Sequence, residues 1–367
     1  MDFEEAEAKE LLRQAGIPVP PGEVCRDADA AAAAVGRLGR SALKAQVPAG
    51  KRGKAGGIRL VDDAEQARGA ASAILGMEIA GYRVERLLVE KSASIAQELY
   101  AAVLNDVDAR APVVLFSTSG GMDIEEIAAH EPESIVRIPV DVARGVDRAR
   151  LRLAGMDEDL ADFLVRLYDL YAQTDAELLE INPLVRLQDG GLLALDCKLT
   201  VDDASLFRQP ELAGRGAREK LTELERRGRE LGLKYIELPG NVGVLANGAG
   251  LTMTTMDVIE HCGGAPANFL EIGGEAYTKA AAALGLVLAN PRVKSLIVNF
   301  CGAFARTDVM AGGVVEAWQA LKPSLPVFFS VHGTGEEEAI ELIKQRLKLE
   351  PFDRMEDAVR AAVEAAR

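Results

Sequence analysis

The side chains best suited to chemistry flank the Asp189-Gly190 pair, in the segment LLEINPLVRLQDGGLLALDCKLT from Leu178 to Thr200. Two apolar runs separated by Asp-Gly signal a β-hairpin. With a loop of Gln188, Asp189 and Gly190, the last at positive φ, Asn182 falls opposite Asp196 and Glu180 opposite Lys198. Alternation along the strands then puts Leu179, Ile181, Pro183, Val185, Leu193, Leu195, Cys197 and Leu199 on one face. The other face carries Glu180, Asn182, Asp196 and Lys198. A two-residue turn would send Asn182 and Asp196 to opposite faces. Oxygen ligands above a buried back can hold Mg²⁺, which needs one or two carboxylates when phosphates and waters complete its shell. The same pattern also fits an ordinary antiparallel hairpin with a solvated face.

Several other stretches bear on ligand binding. Gly50-Lys-Arg-Gly-Lys-Ala-Gly-Gly57 sets three cations among four glycines between two expected strands. Glycines let a backbone approach an oxyanion closely, although the segment lacks the P-loop pattern and also reads as a solvated basic loop. Lys44, inside an apolar strand, calls for an anionic partner such as a phosphate. Glu90 and Glu98 bracket KSASIAQ, where a chain leaving a strand can offer backbone groups and a carboxylate to a base and ribose, or can be solvated. Asn247-Gly-Ala-Gly250 and Gly302-Ala-Phe-Ala305 each precede an expected helix. Unpartnered amides and the helix dipole make such termini anion sites, or tight helix entries.

These groups need two kinds of scaffold. Up to about Tyr171 the chain reads as short strands mixed with helices, among them a mostly helical stretch over Leu151–Tyr171. Arg215–Leu233 reads as a charge-dense helix approaching a domain boundary near Pro239. Strands at Val242–Ala246, Asn268–Ile272, Ser295–Phe300 and Val327–Val331 then alternate with helices, which predicts a doubly wound parallel sheet. Its glycine-bearing turns are at Asn247–Gly250, Gly273-Gly274 and Gly302; ligands of such sheets sit at the carboxyl ends of the strands. The expected division is 1–236 and 237–367.

Composition narrows the functional classes. A length of 367 residues allows two or three domains, and 49% hydrophobic with 27% charged residues is globular. A net charge of −15 argues against nucleic acid as a partner. No run approaches a membrane span, and the acidic start MDFEEAEAKELL is unlike a targeting peptide. Cys25, Cys197, Cys262 and Cys301 form no CxxC pair, and His130, His261 and His332 are the only histidines. The expectation is a reducing, cytoplasmic setting without a zinc site.

Several stretches, KAQVPAGKRGKAGG, LVEKSASIAQELY, LLEINPLV, DCKL, LFRQPEL, GNVGVLANGAGLTMTTMD and GGAPANFLEIGG, resemble the β subunit of succinyl-CoA synthetase over nearly the whole chain. The resemblance implies an α/β architecture: an ATP-grasp domain followed by a flavodoxin-like domain that docks on a CoA-binding α subunit. It implies ADP- or GDP-forming acid–CoA ligation with Mg²⁺ and ATP or GTP. The phosphoryl group passes to a histidine of the α subunit, in an αβ or (αβ)2 assembly, and CoA is held mainly by that partner. Lys44, Lys51, Arg52, Gly53, Glu90, Ala93 and Glu98 would bind nucleotide. Asn182 and Asp196 would hold Mg²⁺, and Glu180 would orient the phosphohistidine. Lys51 stands where the family usually has glycine and Ala93 where threonine is frequent. Pro20 occupies a position at which ATP-preferring members tend to have proline.

The acid end departs from the family. Asn247 is retained, but the usual Phe-Gly-Gly-Ile-Val-Arg-Cys-Asp is here Cys301-Gly-Ala-Phe-Ala-Arg-Thr-Asp308, so Ala303, Phe304 and Ala305 reshape the substrate segment. Downstream, an Arg-Leu-Glu-Gly pattern becomes Ser330-Val-His-Gly333. Succinate, malate or another small carboxylate is the expected acid. The alternatives are a stand-alone ATP-grasp carboxylate–amine ligase and a non-catalytic docking or regulatory subunit.

Overall fold

Aspartates decide where the early helices begin. Asp27 accepts a hydrogen bond from the Ala30 amide, Asp63 from Glu65 and Gln66, and Asp157 from Leu160, satisfying amides that a first helical turn leaves without partners. The computed structural model describes residues 1–121, 124, 131–217, 220–272 and 278–367. It divides into two units, Met1–Glu219 and Lys220–Arg367.

In the first unit the order is α1 (Glu5–Gln14), β1 (Gly22–Cys25), α2 (Ala28–Leu38), β2 (Ser41–Ala45), β3 (Ile58–Val61), α3 (Ala64–Ile74), β4 (Glu78–Ile79), β5 (Tyr82–Arg83) and β6 (Leu87–Lys91). There follow β7 (Ile95–Asp106), β8 (Ala111–Ser117), β9 (Ile135–Pro139), α4 (Arg148–Leu153), α5 (Glu158–Gln173), β10 (Ala176–Leu187), β11 (Leu192–Ala194) and β12 (Lys198–Val201). One antiparallel sheet runs β1-β6-β2-β3; a second runs β11-β10-β7-β8-β9, with β12 also on β10. Alanine-rich α2 and α3 lie close on the first sheet through Ala31, Ala34, Ala67 and Ala71. Larger side chains cover the second: Leu12 of α1 and Leu164 and Leu167 of α5 pack with Leu179, Ile181 and Leu199.

The hairpin has the expected register. Arg186 pairs with Leu192 and Leu184 with Ala194, while Glu180 pairs with Lys198. Equal lengths of chain separate the two ladders, so Asn182 faces Asp196 across them. Gly190 takes φ +92°, which closes the loop without a Cβ clash. The continuous apolar face does not form. Residues 195–197 leave the ladder, and β10 carries one extra residue against β7 between Ile181 and Leu184. Leu184 and Ala194 are therefore buried, and Pro183 and Leu195 only partly so. Proline has no amide hydrogen to give a ladder, so the bulge falls where Pro183 stands. The Asn182-Pro183 peptide is cis.

The second unit opens with α6 (Glu223–Glu230), shorter than the expected Arg215–Leu233 helix and started by a Thr222/Glu225 capping box. Then come β13 (Tyr235–Glu237), β14 (Val242–Ala246), α7 (Ala249–His261), β15 (Asn268–Leu270), α8 (Ala280–Ala289), β16 (Ser295–Gly302), α9 (Thr307–Leu321), β17 (Val327–Gly333), α10 (Glu336–Leu347) and α11 (Met355–Ala365). Strands β14, β16 and β17 are parallel, and parallel bridges from Val242 to Pro266 and Ala246 to Glu271 set β15 beside β14. β13 pairs antiparallel with β15. The chain moves from β14 outward to β15 and back to β16, so the strand order reverses between β14 and β16. The Gly273-Gly274 turn lies outside the described residues.

Candidate functional site

Six ionisable side chains meet where the two sheets of the first unit approach each other. Lys9 Nζ lies 2.7 Å from Glu5 Oε1 and 2.6 Å from Glu90 Oε1, and donates to the Leu195 carbonyl at 2.8 Å. Lys44 Nζ lies 2.8 Å from Glu5 Oε1 and 2.7 Å from Glu90 Oε2, and donates to the same carbonyl. Arg52 Nη2 lies 2.8 Å from Glu5 Oε2 and 2.7 Å from Asp196 Oδ1, while its Nη1 donates to the Ala45 carbonyl. Three cations thus face three carboxylates. All are buried except Asp196, whose side chain is 31% exposed.

Burial would lower the Lys44 ammonium, but Glu5 and Glu90 together hold it above the usual lysine range. Burial would likewise raise the Glu5 carboxyl, yet Lys44, Lys9 and Arg52 hold it well below the usual carboxylate range. Both groups stay charged, and the anionic partner that Lys44 required belongs to the protein itself.

A cavity of about 440 Å³ opens beside this cluster, lined by Lys51, Arg52, Gly53, Glu180, Asn182, Asp196 and Lys198. Lys44 and Glu90 are buried and are not among its lining residues. Gly121 donates its amide to Asn182 Oδ1 at 2.8 Å. Gly121 takes φ +71°, a conformation that favours glycine, and at Gly120 a Cβ would come within 2.1 Å of the Leu99 carbonyl oxygen, so the two glycines let this segment lie over β7. Glu98 itself is exposed on β7, and Ala93 sits half-buried in the turn from β6 to β7; neither lines the cavity. Lys51 holds φ +59°, the left-handed region that glycine enters freely. Tyr100, buried near Glu180, has its hydroxyl pushed up by burial and then by that carboxylate's charge.

An amide oxygen at Asn182 and a carboxylate at Asp196 are hard donors suited to Mg²⁺, and Asp196 Oδ1 is already steadied by the Cys197 amide at 2.7 Å. No cluster of three or more histidine, cysteine, aspartate or glutamate ligands occurs among the described residues. A metal held here would take its remaining oxygens from phosphates and water.

In the second unit the Asn247 side chain closes the point where strand order reverses. Its Nδ2 donates to the Cys301 carbonyl at 2.8 Å, and its Oδ1 accepts from the Cys301 amide at 2.7 Å. The starts of α7 and α9 follow these two strand ends. Ala303 and Phe304 are exposed, Phe304 completely, and Ala305 is half-buried. His332, beside Cys301 on β17, has Nε2 3.3 Å from Ser330 Oγ and Nδ1 3.6 Å from Glu336 Oε1.

Residues 2–186 match the model of the ATP-grasp domain family, and residues 245–363 match that of the CoA-ligase family. The β subunit of the ADP-forming succinate–CoA ligase of Rubrobacter xylanophilus is 43% identical over 379 residues, covering 100% of this chain and 99% of that one. The chain belongs to the succinate–CoA ligase β-subunit family. It is therefore a subunit of an acid–thiol ligase, built as an ATP-grasp domain followed by a flavodoxin-like one. The β subunit of the GDP-forming ligase of Thermus thermophilus is 42% identical over 353 residues, covering 94% of this chain and 93% of its own. In fold, the chain is similar to ATP citrate lyase of Methanothrix soehngenii, with a TM-score of 0.77, 22% identity and 99% of each chain covered.

Two members of the ligase subunit's charged cluster, Glu5 and Lys9, were not among the sequence candidates. Their signal is a charged pair four residues apart on the stripe of α1 that also carries Ala8, Leu11 and Leu12. Gly121 was missed as well, because its role depends on β7 passing beneath it.

Proposed function

We propose that this β subunit binds a magnesium–nucleoside triphosphate in its first unit and passes the terminal phosphoryl group to a histidine of a CoA-binding α subunit. The observation that carries this reading is the convergence of Lys44, Glu90, Arg52 and Asp196 through contacts of 2.7–2.8 Å beside the cavity that Glu180 and Asn182 line. Lys44, Lys51, Arg52, Gly53, Glu90, Ala93 and Glu98 would hold the nucleotide, with Asn182 and Asp196 on Mg²⁺. The metal would neutralise charge on the phosphates during transfer. Glu180 would accept a hydrogen bond from the ring N–H of the incoming histidine. Pro20, buried just before β1, supports ATP over GTP.

At the acid end, Asn247 and the backbone of Ala303, Phe304 and Ala305 would hold a carboxylate near the helix starts. Phe304 and His332 favour a dicarboxylate other than succinate, such as malate. An αβ or (αβ)2 assembly in the cytoplasm fits a chain whose four cysteines are free and whose described helices include none long and apolar enough to cross a membrane.

The test is to purify the chain with its CoA-binding partner and follow labelling of the partner's histidine from Mg²⁺–ATP. Asp196→Ala should slow labelling by roughly a thousandfold or more, as loss of metal-centred charge stabilisation predicts. Unchanged labelling rejects the metal assignment. A panel of acids, scored by CoA-dependent ADP release, then decides the substrate, and clear preference for succinate rejects the variant acid.

A further inference from the structure

We propose that Lys198 is a further catalytic residue, a cation that accompanies the phosphoryl group from the nucleotide to the partner's histidine. The inference rests on the phosphoryl-transfer reading above. Lys198 is the cross-strand partner of Glu180 and lines the same cavity as Glu180, Asn182 and Asp196. Its neighbours Cys197 and Leu199 are buried at 4% and 1% exposure, and Leu199 is further tied by the Phe3 amide, so the backbone beneath Lys198 is held on both sides. The side chain itself is exposed and has no hydrogen-bond or ion-pair partner among the described residues.

That freedom sets it apart from its fellow cations. Lys44 and Arg52 each touch two carboxylates at 2.7–2.8 Å. Transfer carries a phosphoryl group, with charge spread over three oxygens, past the carboxylate of Glu180, which repels it. A cation directly opposite Glu180 removes that repulsion where the charge is in transit. The lone pair of a neutral imidazole nitrogen attacks phosphorus. The bond from phosphorus to the bridging oxygen breaks, and its electron pair leaves on the nucleoside diphosphate. The proton on the other ring nitrogen stays, bonded to Glu180. The ammonium of Lys198 contacts the phosphoryl oxygens throughout and exchanges no proton.

The experiment compares Lys198→Met and Lys198→Arg in the complete complex with its partner. Both variants should bind Mg²⁺–ADP within about twofold of wild type by calorimetry and melt at the wild-type temperature, since the side chain supports no packing. Single-turnover labelling of the partner's histidine should slow roughly 30- to 100-fold in K198M and recover most of that loss in K198R, the scale expected for one stabilising group. Wild-type labelling in K198M overturns the proposal, as does loss of nucleotide binding in proportion to labelling. Asp196→Ala is run beside them. If it halts labelling while K198M does not, only the role of Lys198 falls; if neither variant affects labelling, the metal assignment of Asp196 falls too, and a wild-type complex that never labels the histidine rejects the phosphoryl-transfer reading.

Discussion

The two units build their candidate sites by opposite means. The first uses charged side chains, and it buries and neutralises them in advance: Lys9, Lys44 and Arg52 against Glu5, Glu90 and Asp196. The second uses backbone, with strand ends at Asn247 and Cys301 joined by one side-chain amide and two helices starting just beyond. The difference teaches where each unit can change. A balanced buried cluster loses a counter-ion with any substitution, so its chemistry is tied to its stability. A backbone crevice with an exposed residue at its tip can be reshaped while the fold stays intact. Phe304 and its neighbours depart from the family pattern on that second kind of site.

The largest predicted effect concerns stability. Lys9→Met leaves two cations facing three carboxylates, with Glu5 at 2% exposure and Glu90 at 3%. Breaking a buried ion network by removing one partner is expected to cost about 3–5 kcal/mol. Asn247→Ala removes two hydrogen bonds at a half-buried position, worth about 1–2 kcal/mol. Urea unfolding of each variant should therefore show the first-unit change well above the second-unit one. Equal losses would break the contrast.

A smaller effect tests the other half of the comparison. Phe304→Ile should alter the ratio of kcat/KM between two candidate acids by roughly 10- to 100-fold, the scale of a changed apolar contact in a binding pocket. Labelling of the partner's histidine from Mg²⁺–ATP should be unaffected, because Phe304 belongs to the second unit and the cavity proposed for the nucleotide lies within the first. A variant that slows labelling and acid turnover alike would show that Phe304 does not act on the acid alone.

Legibility in the sequence followed the range of the interactions. The hairpin register was readable because Asp189-Gly190 and the alternation on either side are local, and the structure keeps Glu180 opposite Lys198. The bulge at Pro183 was not, since strict alternation assumes that every residue joins the ladder. A helix over Arg215–Leu233 was expected from helix-favouring charges, but with few apolar residues to bury only Glu223–Glu230 is helical among the described residues. The ion cluster was readable in part. Lys44 demanded a counter-charge, whereas Glu90 meets Lys9 across 81 positions of sequence. Nothing local to Asn247 indicates that its amide closes on Cys301.

The smallest effect separates side chain from backbone inside the first unit. Lys51 holds φ +59° in a loop where the resemblance leads one to expect glycine. A side chain in that region costs about 1–2 kcal/mol, but glycine in its place frees the unfolded chain by a comparable roughly 0.5–1 kcal/mol. Lys51→Gly should therefore move the urea midpoint by no more than the equivalent of about 1 kcal/mol. Its nucleotide affinity should still fall a few-fold, since a charge that lines the cavity is lost while the loop keeps its path. An affinity that holds or rises would mean that Lys51 contributes through its backbone alone, leaving Arg52 and Lys54 as the loop cations that line the cavity.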